Sequence, residues 1–419
     1  MRSISAKAKE TIFEIEAFLS EPFSRFDAIE LVNQERVLRA FQNNGVAARH
    51  FAPSNGYGYD DIGRDTLDRV FAETMQAEDA LVRPQIINGT HAIFLALSGI
   101  TEPGDMILSV TGAPYDTLQQ AIGLSGNTPH SLKSSGISFE SIPLKDNGMI
   151  DVVRAREEVQ EHQPKVIYMQ RSRGYAWRPA FDPVADLTPI IEELHGLSPN
   201  SVFVLDNCYG EFTTTTEPTF IGADIIAGSL IKNPGGGLAP NGGYIAGRHV
   251  LVDKIAQKLT VPGIGREAGS YAGDYRVFYQ GLFMAPHCVN QCLKAVTLFS
   301  ALFEKLKYNV MPSYKDARAD ITQSVRFRTK EELIAFCQTI QSVSPVDSFV
   351  IPEPWDMPGY TDPVIMAAGS FVQGSTTELS ADGPVRSPFT AYMQGSLTYS
   401  HARIAAMAVY DSLISCNVL

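Results

Sequence analysis

The stretch 227-AGSLIKNPGGG-237 places a single lysine, Lys232, directly after a small apolar run and directly before three glycines. A short apolar run followed by glycine punctuation reads as a buried strand reaching its end. An ammonium there must be desolvated, which is unfavourable unless the group is paired or chemically used. Desolvation also pushes a lysine pKa down. What lies at the neighbouring strand ends therefore decides both fold and chemistry.

The same pattern recurs on either side. "DALVRPQI" (79–86), "MILSV" (106–110), "SFESIPL" (138–144), "KVIYMQRS" (165–172), "SVFVLDNCY" (201–209), "DIIAGSLIK" (224–232) and "GGYIAG" (242–247) read as strands. Helical spacing precedes or separates them in "TLDRVFAETMQAE" (66–78), "GTHAIFLALSGI" (89–100), "YDTLQQAIGLS" (115–125), residues 151–161 and "PVADLTPIIEELHGL" (183–197). Such alternation predicts an α/β fold with a mostly parallel sheet covered by helices on both faces. Ligands of these sheets sit at the carboxyl ends of the strands.

Residues 1–50 read as helices joined by a loop, and 51–65 as irregular. Beyond about residue 275 the pattern changes. "HCVNQCLKAVTLFSALFEKLKY" (287–308) reads as one long connecting helix, followed by a strand, a helix, several strands within 347–398 and the helix "HARIAAMAVYDSLI" (401–414). The expected organisation is an N-terminal helical arm over 1–55, a large cofactor-binding domain over 56–284 and a smaller C-terminal α+β domain over 285–419.

The chain has 419 residues, 44% hydrophobic and 19% charged, as expected for a globular protein with a large core. A net charge of −12 disfavours nucleic acid and anionic membrane as partners. No run of 18 apolar residues occurs, and the N-terminus lacks the apolar core of a signal peptide, so a cytoplasmic protein is expected. Cys208, Cys288, Cys292, Cys337 and Cys416 match no zinc or disulfide spacing. Cys288 and Cys292 lie at i, i+4 beside His287, but no second ligand pair adjoins them. A buried helix face is expected there, with no metal.

Three strand ends carry unusual groups. In "RPQIINGTHA" (83–92), Asn88, Gly89 and Thr90 mark a strand-to-helix turn, where free N–H groups and the helix dipole attract an anion. N-capping alone also accounts for Asn88 or Thr90. "SVFVLDNCYG" (201–210) puts Asp206 at a strand end, where an ionised carboxylate needs a cation or strong donor, although an Asp capping a turn is common. Ser229 and Lys232 supply a hydroxyl for the same anion and an amine whose expected lowered pKa suits Schiff-base formation. A lysine snorkelling to a domain edge is the alternative.

Anion site, carboxylate and amine together are what pyridoxal 5'-phosphate requires: phosphate on the helix N-terminus, ring nitrogen on the acid, aldehyde on the lysine. Tyr115, in "TGAPYDTL" (111–118), is placed to stack on the ring.

The order of these motifs resembles the fold-type I pyridoxal-phosphate enzymes of the aspartate aminotransferase superfamily. Within them the chain is most similar to the cystathionine lyase and methionine gamma-lyase branch, and to its group of carbon–sulfur lyases called aluminium-resistance proteins. The residues that carry the resemblance are "GYGYDDIGRDTLD" (56–68), "RPQIINGTHA", "TGAPYDTL", "LDNCYGEF" (205–212), "GSLIKNPGGGLAPNGGYIAG" (228–247) and "YMQGSLTYSH" (392–401).

The resemblance implies that Lys232 is the Schiff-base lysine and Asp206 the partner of the pyridine nitrogen. Gly89, Thr90 and Ser229 would hold the phosphate, with Tyr115 on the ring. Tyr59 would reach the phosphate of a neighbouring subunit, so a homodimer or homotetramer with shared sites is expected. Arg386, in "DGPVRSPF" (382–389), is the candidate for the substrate α-carboxylate, through its bidentate fork. Two positions depart from the better-known lyases: Asp61 stands where they place an arginine, with Arg64 as its possible substitute, and Ile231 replaces a hydroxyl residue before the lysine.

The implied reaction starts with a sulfur-containing amino acid displacing Lys232, which then takes the Cα proton. A thiolate leaves from Cβ or Cγ, with Tyr115 or Lys232 as acid, giving a 2-oxo acid and ammonia. β-Elimination, γ-elimination and γ-replacement share these steps. An aminotransferase or aldolase would use the same lysine and aspartate, and a non-catalytic binding module would keep the fold alone. A nicotinamide dehydrogenase is disfavoured, because the glycine spacing of "GYGYDDIG" does not follow a strand in the required way.

Overall fold

The computed structural model describes residues 4–126, 128–357 and 362–415. Seven strands build the larger sheet: β1 (Asp79–Arg83), β2 (Met106–Ser109), β3 (Ser138–Ser141), β4 (Val166–Gln170), β5 (Val202–Asp206), β6 (Ile225–Ser229) and β7 (Gly243–Gly247). Their spatial order is β1-β7-β6-β5-β4-β2-β3. Strands β6, β5, β4, β2 and β3 pair in parallel, while β7 runs antiparallel between β1 and β6. The sheet is therefore mostly parallel, with one reversed strand.

Every residue of β4 to β7 is buried, which is why these strands read as continuous apolar runs rather than alternating ones. Period two still sorts the side chains. Leu81, Ile107, Tyr168, Val204 and Ile245 pack beneath helices Gly89–Ile100 and His249–Leu259. Their chain neighbours Val82, Leu108, Met169, Leu205 and Ala246 pack on the other face, against helices Ile62–Thr74 and Thr188–Leu197. Truncating one of these, such as Leu205→Ala, costs about 2–5 kcal/mol through lost transfer energy and the cavity left behind.

A second sheet is antiparallel throughout, in the order β10-β11-β12-β9-β8, from β8 (Asn309–Met311), β9 (Thr322–Arg326), β10 (Val364–Ala367), β11 (Ser380–Pro384) and β12 (Thr390–Gln394). Helices Lys330–Ser342 and Tyr399–Ser415 close its core together with Ile12 and Ile15 of the N-terminal helix Ala6–Glu16. The long helix spans Arg276–Lys305 and serves both cores. It begins well before the expected position at residue 287 and runs through Pro286, a residue that disfavours helix interiors.

This helix explains one of the glycines after Lys232. A Cβ on Gly236, whose φ is +53°, would overlap the Gly281 carbonyl of the long helix. The close approach is to the protein's own helix, and it fixes the turn that carries the lysine.

Cys288 Sγ donates to the Gly236 carbonyl (3.3 Å), Cys292 Sγ to that of Thr377 (3.4 Å), and His287 pairs with Glu30 (3.1 Å). Cys416 lies outside the described residues. Among those described, no helix is long and apolar enough to cross a membrane.

Candidate active site

Asp206 and Ser229 are the last residues of two adjacent parallel strands, so sheet geometry alone brings their side chains to one edge. Lys232 follows three residues later, at the start of the turn Asn233–Gly235. These three groups, with Gly89, Thr90 and Tyr115, line one cleft of about 400 Å³ between the large sheet and the second sheet.

One end of the cleft is built to take an anion. Asn88 caps helix Gly89–Ile100, its Oδ1 accepting from the His91 amide at 2.9 Å. The capping expectation for Asn88 thus holds alongside the open helix terminus. A Cβ on Gly89 would lie 3.0 Å from Cys208 Sγ and 3.3 Å from Ser229 Cβ, so the helix tip approaches the strand ends as closely as it does because it lacks a side chain. Ser229 is buried and its Oγ has no hydrogen-bond partner, an arrangement that awaits an acceptor. Tyr115 Oη donates to Thr90 Oγ1 at 3.0 Å, which joins these two residues at the same end.

The amine of Lys232 lies 3.5 Å above the centroid of the Tyr209 ring. Burial acts to lower its pKa, but its neighbours, the Tyr209 hydroxyl group and ring and the Asp206 carboxylate among them, more than offset burial and hold the amine above the ordinary lysine value. This reverses the lowered pKa expected from desolvation alone. The neighbours, invisible in one-dimensional reading, are responsible. Asp206 is pushed upward by burial, against the Cys208 amide that donates to Oδ1 at 3.0 Å and the Lys232 charge. Burial and Asp206 also push the Tyr115 hydroxyl and the Cys208 thiol well up, so both keep their protons at neutral pH.

Tyr209 is the residue that sequence reasoning missed. It sits at φ +70°, a left-handed conformation that costs a non-glycine residue about 1–3 kcal/mol when imposed by its surroundings. The turn on either side of it is held by a buried polar platform: Arg171 Nη1 donates to Asn207 Oδ1 (2.9 Å), and Glu217 accepts from the Phe212 amide (3.0 Å) and from Asn207 Nδ2 (3.0 Å). The one available signal was its place three residues beyond Asp206, in the same strand-end turn.

Other candidates lie elsewhere in the single chain. Tyr59 is 58% exposed and stacks on Tyr57, with ring centroids 5.4 Å apart. Arg386 sits at the rim of an adjoining cavity and pairs with Asp362 at 2.7 Å. Arg64 is buried but turned away, donating to the Gly58 carbonyl (2.7 Å) and to Asp65 (2.8 Å). Asp61 caps helix Ile62–Thr74 and accepts from Tyr275 Oη at 2.8 Å, so Asp61 and Arg64 are both engaged in local structure. Ile231 does line the cleft and faces Gly374.

A sequence model of the methionine gamma-lyase family matches residues 8–414. The protein YnbB of Bacillus subtilis (strain 168) is 46% identical over 412 residues, covering 98% of this chain and 97% of that protein. The crystal structure of a carbon–sulfur lyase involved in aluminum resistance from Clostridium novyi NT is 45% identical, with a TM-score of 0.94 over 98% of this chain and 96% of that one. The pyridoxal-5'-phosphate-dependent protein YhfS from Escherichia coli, at 15% identity and a TM-score of 0.62 over 94% and 97%, shares the fold. The chain belongs to the methionine gamma-lyase family and has the fold-type I architecture of pyridoxal-phosphate enzymes.

Proposed function

We propose that this protein is a pyridoxal 5'-phosphate-dependent lyase that cleaves a carbon–sulfur bond of a sulfur-containing amino acid by β- or γ-elimination. The observation that carries this reading is the juxtaposition of Lys232, Asp206 and the partnerless Ser229 hydroxyl at one sheet edge. The residues fit the cofactor. Ser229 Oγ, Thr90 and the helix tip cleared by Gly89 offer donors for a phosphate, and the Asp206 carboxylate offers an acceptor for a protonated ring nitrogen. When bound, the cofactor supplies an electron sink for charge left at the substrate Cα.

The chain's own side chains then have distinct tasks. Asp206, shielded from water, would hold a protonated ring nitrogen of the cofactor through its carboxylate. With the cofactor bound, Lys232 would be the base that takes the substrate Cα proton, and the Tyr209 ring beneath it orients its nitrogen. Tyr115, protonated at neutral pH, donates to the departing sulfur or packs on the ring. Arg386 turns from Asp362 to the substrate α-carboxylate. Tyr59, exposed in one chain, completes the phosphate site of a second copy in a homodimer or homotetramer.

The test is product analysis with the purified holoenzyme. A thioether amino acid should yield ammonia, thiol and 2-oxo acid, and Lys232→Ala should abolish both this yield and the visible absorption of lysine-bound cofactor. Accumulation of pyridoxamine phosphate without free thiol would mark a transaminase instead.

A further inference from the structure

Beside the turn that carries Lys232 lies a buried carboxyl group to which the proposed reaction gives no task. Glu211 stands in the turn after β5, five residues beyond Asp206, and is fully buried. Its carboxyl packs against β6: a Cβ on Gly228 would lie 2.7 Å from Glu211 Oε1 and 2.6 Å from the Tyr244 ring of β7. Gly228 thus leaves the space that the acid and the tyrosine fill. Tyr244 Oη donates to Oε1 at 2.7 Å. At the far end of the turn, Asn233, next to Lys232 in the chain, donates from Nδ2 to the Glu211 carbonyl at 2.9 Å. Glu211 therefore meets both ends of segment 228–233, which contains Ser229 and Lys232.

Two acceptors in this corner are left over. Glu211 Oε2 and Asn233 Oδ1 are both buried, and neither has a hydrogen-bond partner. Turning the Asn233 amide over would not help, because its Nδ2 is already fixed on a carbonyl. The arginines here bond other groups. Arg36 pairs with Glu217 at 3.6 Å, and Arg171 donates to Asn207 Oδ1 (2.9 Å) and Thr213 Oγ1 (3.1 Å). Burial holds the Glu211 pKa up at about 8, with the Glu217 charge adding to the rise and Tyr244 and Lys232 opposing it. Arg171 and Cys208 also feel this carboxyl. At neutral pH the acid keeps a proton, and because Oε1 accepts from Tyr244 that proton belongs on Oε2. A single proton there serves both leftover acceptors, each of which would otherwise bear the full cost of desolvation.

We propose that Glu211 is a positioning residue for the cofactor lysine: as a neutral acid it donates from Oε2 to Asn233 Oδ1, closing a clamp between β6 and the turn that holds Lys232 at the cleft. Glu211 does not line the cleft and acts through Asn233. The clamp opens when Glu211 ionises. If the cofactor needs Lys232 held in place, cofactor and proton strengthen each other's binding by the same factor. The inference rests on Lys232 carrying the cofactor, as in the lyase reading.

Glu211→Gln keeps the shape of the acid and donates at every pH, from Nε2 to Asn233, while Oε1 still accepts from Tyr244. Stripped wild type and Glu211→Gln are titrated with pyridoxal phosphate between about pH 7 and about pH 10, a span that brackets the loss of the proton. Binding is read from the absorption of the lysine-bound cofactor. The wild-type dissociation constant should rise at least about tenfold more than that of the variant, the change that one linked proton brings per pH unit. The imine's own titration is common to both proteins and cancels in the comparison. Infrared spectra of the holoenzyme at neutral pH should contain a protonated-carboxyl band that Glu211→Gln lacks, and Asn233→Ala should move that band upward as its hydrogen bond is lost.

Parallel pH profiles of the two dissociation constants overturn the proposal, because a purely structural glutamate would weaken binding alike at every pH. Wild-type spectra without the band overturn it equally. A wild type that shows the band and its shift in Asn233→Ala, yet takes up no cofactor, refutes the lyase reading and leaves the clamp standing.

Discussion

Gly89→Ala should weaken cofactor binding through a contact whose size can be read from the coordinates. The new Cβ would sit 3.0 Å from Cys208 Sγ and 3.3 Å from Ser229 Cβ, so helix tip or strand end must yield by a few tenths of an ångström. Overpacking of this kind costs about 1–3 kcal/mol. In the cofactor-free chain the helix tip can withdraw and avoid much of that cost. When one phosphate is held by the helix tip and by Ser229 together, withdrawal would break those bonds, so the cost appears in the binding constant. At 1.4 kcal/mol per decade, the dissociation constant should rise by about 5- to 150-fold. The assay is titration of stripped protein with pyridoxal phosphate, followed by absorbance. Cys208→Ala removes the nearer obstacle, so the double variant should recover part of the loss, with a coupling energy of about 1 kcal/mol. A Gly89→Ala constant within about twofold of wild type would refute the steric reasoning. So would a double variant no tighter than the single.

Two further outcomes are expected. Glu211 is buried, with Tyr244 Oη donating to Oε1 at 2.7 Å and Oε2 without a partner, and burial raises its pKa to about 8. Because the folded value exceeds the unfolded one, its stabilising contribution is complete below the ordinary glutamate pKa and is lost as pH rises through about 8. Denaturation midpoints of Glu211→Gln should therefore gain on wild type between about pH 5 and about pH 8, and a constant difference across that range would contradict the buried neutral acid. Co-expressed Tyr59→Ala and Lys232→Ala chains should regain about a quarter of wild-type turnover, since half of randomly mixed dimers carry one intact shared site. Turnover no higher than that of the single variants would place Tyr59 outside the neighbouring site.

Much of this site was legible because parallel sheets converge their strand ends. Once "VFVLD" and "IIAGS" are read as buried strands, Asp206 and Ser229 must sit together, and Lys232 three residues on must be near both. The reversal of β7 left no mark in "GGYIAG", since burial on both faces makes parallel and antiparallel central strands look alike. Tyr209 escaped because the turn that carries it, at φ +70°, is braced by side-chain bonds such as Arg171 to Asn207 that join residues far apart in the chain. The direction of the Lys232 pKa escaped with it, because Tyr209 is one of the groups that raise it. Arg64 could be given its partners, the Gly58 carbonyl and Asp65, only in three dimensions.

The most direct test of the central claim is the stoichiometry of products from a thioether amino acid under single-turnover and steady-state conditions. Wild-type holoenzyme is predicted to release ammonia, thiol and 2-oxo acid in equal amounts, with none released by Lys232→Ala. Undiminished thiol release by Lys232→Ala, or conversion of the amino acid by wild type with its carbon–sulfur bond intact, would contradict it.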